Sequence, residues 1–206
     1  MKLRSEAGLG RVQMSVEWET VSLWQDAILR DRLDDIRASF VESGAVGPDA
    51  SWAPEREAVR GRENKILLEY WHESRGDQAM PPISAVDPVR IQPALGRVAV
   101  LEAVEGGRDF RYRLFGTVMT AVSGFDMTGK LLSTHPSSAY IVNFNMALYR
   151  AILIKRVPVL SSYKPVARYA AFWERLMLPF GTEVDGVIRI VTGNIAFDRD
   201  GRELQS

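Results

Sequence analysis

Cysteine is absent from this 206-residue chain. That one absence removes disulfides, thiolate metal sites, iron–sulfur clusters, covalent c-type haem attachment and cysteine nucleophiles. Histidine is scarce, with only His72 and His135, and neither has a second ligand beside it, so no metal site is expected. Net charge is missing as well: 26 basic side chains balance 26 acidic ones. A dedicated nucleic-acid binder usually carries a basic excess to neutralise phosphates, so none is expected here. No apolar run approaches the roughly 20 residues that span a bilayer, and the N-terminus lacks an apolar signal core. The expectation is a soluble, cytoplasmic protein. No Ser-His-Asp arrangement, paired carboxylates or nucleophile elbow is visible, so catalysis is not expected.

What is present is a core-forming composition, with 46% hydrophobic and 25% charged residues. The length fits one domain with an extension. Residues 1–14 read as a flexible tail. From Ser15 to about Val41 the apolar residues Val21, Trp24, Ile28, Leu33, Ile36 and Phe40 recur every three to five positions among charged ones. That is an amphipathic helix. Its stripe either packs on its own domain or pairs with a second protomer, which makes these six residues the candidate dimer interface. Residues 43–54 (SGAVGPDASWAP) read as a linker. The chain thus divides into a tail, an extension over 15–55 and a domain over 56–200.

Within that domain a helix carrying Ile66, Leu67, Tyr70 and Trp71 closes near Gly76. Residues 97–104 read as a strand, and 105–108 turn it into a second, 109–115. There Phe110, Tyr112 and Leu114 alternate with Arg111 and Arg113. Gly116, Gly124 and Gly129 then punctuate a short, partly helical stretch that can fold over the sheet. Asp126 and Thr128 are placed to bond backbone N–H groups in a turn there. These five residues form the candidate structural turn motif, and their spacing matches neither a Walker loop nor a dinucleotide fingerprint. A longer helix over 138–155 follows. Residues 159–165 are proline-bounded and expected at a sheet edge. Residues 170–180 set Glu174, Leu176 and Leu178 against Trp173, Arg175 and Met177. Glu174 and Arg175 therefore point to opposite faces, and Arg175 is free to reach the Asp126 turn or another acidic group. Residues 187–197 form the last strand.

The element order, and several motifs in sequence, resemble PAS domains of the PAS_5 type, a group of single-domain bacterial proteins common in alphaproteobacteria. The motifs are Leu68-Glu69-Tyr70-Trp71 with Arg75-Gly76 and Met80-Pro81, then Val86-Asp87-Pro88. Phe110 to Thr117, Gly124-Phe125-Asp126-Met127-Thr128-Gly129 and Trp173-Glu174-Arg175-Leu176-Met177-Leu178-Pro179 complete them. Trp173 departs from the pattern, which has tyrosine before the Glu-Arg pair. Residues 1–55 lie outside the resemblance. It implies an α+β PAS fold: a five-stranded antiparallel sheet with helices on one face, here with an N-terminal helical extension. It also implies a stand-alone sensor or adaptor that signals through protein contacts, as a homodimer or with a signalling partner. Tyr112, Leu114, Met119, Val122, Phe125, Phe144, Leu148, Leu176 and Leu178 are the candidates to line a small apolar ligand pocket. The alternative is a ligand-free oligomerisation module in which the same residues are plain core. No cofactor is expected. A haem-binding PAS domain would need a histidine on the long helix, and a cysteinyl-flavin adduct would need a cysteine; both are missing.

Overall fold

The structure, a computed structural model, describes residues 16–166 and 172–204; the expected tail lies outside them. The class is α+β, built on one antiparallel sheet. Its strands are β1 (Val46–Trp52), β2 (Val98–Val104), β3 (Asp109–Phe115), β4 (Val159–Lys164), β5 (Phe172–Thr182) and β6 (Gly186–Phe197). They run in the order β1-β4-β5-β6-β2-β3. The helices are α1 (Trp18–Leu29), α2 (Asp34–Glu42), α3 (Arg62–Arg75), α4 (Thr117–Ser123) and α5 (Ala139–Lys155).

The sheet has six strands where the sequence suggests five, and the extra one comes from the stretch read as a linker. VGPDASW has poor strand propensity, but it pairs with β4 from Val46–Lys164 to Trp52–Val159. Pro48 sits at the register shift of this edge strand, where its missing N–H is tolerated. Side chains hold it in place. Arg37 of α2 donates to the Pro48 carbonyl at 3.3 Å and to Asp49 at 2.7 Å, and the Trp52 indole donates to the Ile28 carbonyl at 3.3 Å. With β1 outside it, β4 is an interior strand rather than the expected edge. Residues 15–55 therefore include part of the same sheet.

The single long helix expected over 15–41 is two helices. Asp31 adopts a left-handed backbone between them, with φ 55°, a conformation that Asp tolerates better than most residues. The break turns both halves onto the body. Val21, Trp24, Ile28, Leu33, Ile36 and Phe40 are all buried in one core with α5 and the sheet. Phe40 makes edge contacts with Tyr140 (4.7 Å), Phe144 (5.6 Å) and Tyr163 (5.9 Å). Asn143 of α5 accepts the Glu17 N–H at 3.2 Å and so satisfies the start of α1. Burying six such side chains contributes on the order of 10 kcal/mol of gross transfer free energy. The stripe is committed to its own chain, so it is not a free dimer surface.

The opposite sheet face is covered too. Leu67, Leu68, Tyr70 and Trp71 of α3 pack on Leu176, Leu178, Phe180 and Val191 in a second core. The Trp71 indole donates to the Pro179 carbonyl at 2.7 Å. Helices therefore flank both faces of the sheet, not one. Among the described residues no helix is long and apolar enough to cross a membrane.

Candidate functional site

The alternation of β5 separates its adjacent charges. Glu174 turns toward α3, where its carboxylate accepts the Arg60 N–H at 2.8 Å, the Gly61 N–H at 3.0 Å and the Asn64 side-chain amide at 3.0 Å. A negative charge at a helix N-terminus is favoured both by those donors and by the helix dipole. Glu174 has a complete structural role.

Arg175 turns the other way, toward α5. It is 5% exposed and, among the described residues, bonds to neutral oxygens: Nε donates to Asn194 Oδ1 at 3.1 Å, Nη1 to Asn145 Oδ1 and Nη2 to the Tyr149 hydroxyl. It does not reach the Asp126 turn. Among the described residues no carboxylate lies within ion-pair distance of it. Burial disfavours its charge, but the surrounding Tyr149, Tyr163 and Tyr112 outweigh that and hold its pKa above the ordinary arginine value. It stays cationic. Burying an ion without a counter-charge costs several kcal/mol, which three neutral acceptors offset only in part.

This guanidinium forms part of the wall of a cavity of about 60 Å³ between the sheet, α4 and α5. From α5 come Ile141, Asn145 and Tyr149, spaced four apart along one helix face. Ala99, Phe115, Thr192 and Asn194 come from the sheet, and Met119 and Phe125 from the glycine-punctuated stretch. Asn194 is held by its own contacts, its amide donating to Thr192 Oγ1 at 2.8 Å and to the Thr192 carbonyl at 3.1 Å. That leaves its Oδ1 directed to Arg175.

The turn motif shapes the lid. A Cβ on Gly116 would sit 2.3 Å from the Gly96 carbonyl oxygen, so only glycine allows the backbones to approach there. Gly124 ends α4 in the left-handed region, and Asp126 Oδ1 accepts the Thr128 N–H at 2.8 Å. That bond, with one from the Thr128 side chain, holds the exposed Asp126 carboxyl below its usual pKa. Gly129 closes the turn, its N–H donating to the Tyr112 carbonyl at 2.8 Å. All five residues of the motif are backbone architecture.

His135 reaches the cavity against Phe125, with ring centroids 5.0 Å apart. Burial and the nearby Arg175 charge lower its pKa to about 4, so at neutral pH the ring is uncharged. Its Nδ1 accepts the Ser137 N–H at 3.3 Å, which leaves the ring hydrogen on Nε2. Burial raises the Tyr112 hydroxyl well above its ordinary pKa and raises that of Tyr149 as well. Both stay protonated. The other histidine, His72, stacks edge-on against Trp71 on α3, away from this cavity.

The model of the PAS_5 family of PAS domains matches residues 59–196 of the chain, well over half of it. The chain belongs to the PAS_5 family. Comparisons with curated proteins and with solved structures gave no match. The PAS match begins after β1, so α1, α2 and β1 lie outside it while packing into the same structure.

Of the nine residues expected in the PAS pocket, Tyr112, Met119 and Phe125 line the cavity. Phe144 and Leu148 are buried beside it, on other faces of α5. Val122 is half-buried on α4 and does not line it. Leu114 is 36% exposed: a bulge shifts the β2–β3 register between Val100–Leu114 and Leu101–Tyr112, breaking the alternation and turning Phe115 inward instead. Leu176 and Leu178 lie under α3 in the other core. Alternation had grouped them with Glu174, but it cannot say which face of a two-sided sheet holds a cavity. The polar residues Asn145, Tyr149, Asn194 and His135 were missed. For Asn145 and Asn194 the available signal was an amide inside an otherwise apolar run, NFNMALY and VTGNIAF.

Proposed function

We propose that this PAS domain is a ligand-responsive sensory module that binds one small molecule in the cavity between the sheet and α5 and passes its occupancy on through protein contacts. The observation that supports this reading is the convergence of Asn145, Tyr149, Arg175, Asn194 and His135 on one cavity. A cavity lined by apolar groups with a few convergent polar ones is the usual form of a small-molecule site. A plain core fills such space with hydrocarbon, because buried polar groups cost free energy unless paired.

A route to the surface runs through α5. Asn145 and Tyr149 face the cavity, while Asn143, two residues from Asn145, binds the first turn of α1 through Glu17. A displacement of α5 on ligand binding would move α1 with it. In this reading the protein transmits a state to a partner or a second copy, and performs no chemistry of its own.

Native mass spectrometry of the purified full chain, before and after denaturation, tests the reading. The expected result is a bound species that releases a small molecule on unfolding. A bare mass at every concentration, with no small molecule saturating the protein, would favour the ligand-free oligomerisation module.

A further inference from the structure

We infer that the cavity ligand is a small carboxylate, held by its anionic group on Arg175. This rests on the sensory reading above and names its ligand class. A guanidinium carries five N–H donors. Nε–H is given to Asn194, one Nη1–H to Asn145 and one Nη2–H to Tyr149. Among the described residues, one N–H on each terminal nitrogen is then left without an acceptor, and a guanidinium N–H is a strong donor to a carboxylate.

The charge balance points the same way. Glu174, next in the chain, is already satisfied by Arg60, Gly61 and Asn64 on the far face. Of the residues outside the described ones, 167–171, which lead into β5, read ARYAA without an acidic side chain, and 1–15 carry a single one, Glu6. A buried cation whose acceptors among the described residues are all neutral, beside an open volume, is completed by an anion entering that volume. The neutral His135 ring, with its hydrogen on Nε2, lines the same cavity.

Size limits the rest of the ligand. An apolar cavity of roughly 150 Å³ admits benzene, and one water needs roughly 10–15 Å³. At about 60 Å³, this one takes a molecule smaller than benzene unless side chains move. Acetate and propionate have fewer non-hydrogen atoms than benzene and fit that limit, and Ala99, Met119 and Ile141 provide the apolar wall for the carbon chain.

The test titrates the full chain, in chloride-free buffer, with acetate and propionate, and with acetamide and propionamide as neutral partners of equal shape. The Arg175 Nε–H resonance and the thermal midpoint are followed. Carboxylates are expected to shift both saturably, while the amides bind at least about 30-fold more weakly, the ratio for losing one partner of a buried charge pair. Arg175→Gln should lose the response. Because that variant can fail to fold, Asn145→Asp is the second: it supplies an internal carboxylate, so it should melt higher than the wild type and no longer respond to acetate.

Amides binding as tightly as carboxylates would overturn the inference and leave the sensory reading standing. Chloride or nitrate saturating as tightly as acetate would overturn the carboxylate assignment. If no probe binds and Asn145→Asp melts no higher, the inference fails. A native mass spectrum without a released molecule would then remove the sensory reading as well.

Discussion

Glu174 and Arg175, neighbours in β5, are buried on opposite faces of one sheet and are completed in opposite ways. Glu174 is closed by two backbone N–H groups and an amide at the start of α3. Arg175 is held by three neutral oxygens at the edge of a cavity. The first is an anchor, and the second lines a cavity. Their effects on substitution should separate accordingly.

Glu174→Gln keeps the shape and removes the charge at the helix N-terminus. Hydrogen bonds to a charged group are worth roughly 1.5–3 kcal/mol, so a loss of about 2 kcal/mol is expected in urea unfolding. Carboxylate binding at the site proposed on the other face should be unchanged. A variant as stable as the wild type would show that the carboxylate is not an anchor.

His135 gives a pH dependence with a definite sign. Its folded pKa, about 4, lies below the unfolded value near 6.5. Between the two, the unfolded chain binds the proton that the folded one refuses. Stability is therefore full above about pH 6.5 and falls as pH drops toward 4, by up to about 3 kcal/mol. A His135→Gln variant should show a flatter stability curve over that window. Ring NMR should place the midpoint of His135 near 4; a midpoint near 6.5 would contradict its burial beside Arg175.

Gly116 and Gly124 are needed for different reasons. Gly116 has an ordinary φ of −61°, but an added methyl meets the Gly96 carbonyl. Gly116→Ala should force the backbones apart at a cost of roughly 1–3 kcal/mol. Gly124 has open space around it and a φ of 79°, so Gly124→Ala pays only the left-handed penalty of roughly 1–2 kcal/mol. Only the first should disturb the cavity, which ligand affinity would read. Equal effects on affinity would contradict the close approach at Gly96.

Phe40→Ala tests where the N-terminal stripe belongs. Phe40 is fully buried among Tyr140, Phe144 and Tyr163, and truncating such a residue costs roughly 3–5 kcal/mol. Because these contacts lie within one chain, the loss should not vary with protein concentration. A loss that shrinks as protein concentration rises would assign the stripe to an interface between copies.

Much of this protein is local and was legible as such. The helix over 139–155, the alternation of β5 and the turn at Asp126–Gly129 each follow from residues within a few positions of one another. So does the order of motifs that marks the PAS_5 family. What tertiary structure decided depends on distant partners. The stretch 46–52 has the composition of a linker and becomes a strand because β4, more than a hundred residues on, offers its edge. Leu114 loses its place to Phe115 through a bulge set by the pairing with β2. Arg175 has a face assigned by alternation, but its meaning comes from Asn145 and Tyr149 of α5 and Asn194 of β6, which two separate approaches of the chain bring to it. Side-chain periodicity gives the direction of a residue relative to its own backbone; what it meets there is set by packing across the whole chain.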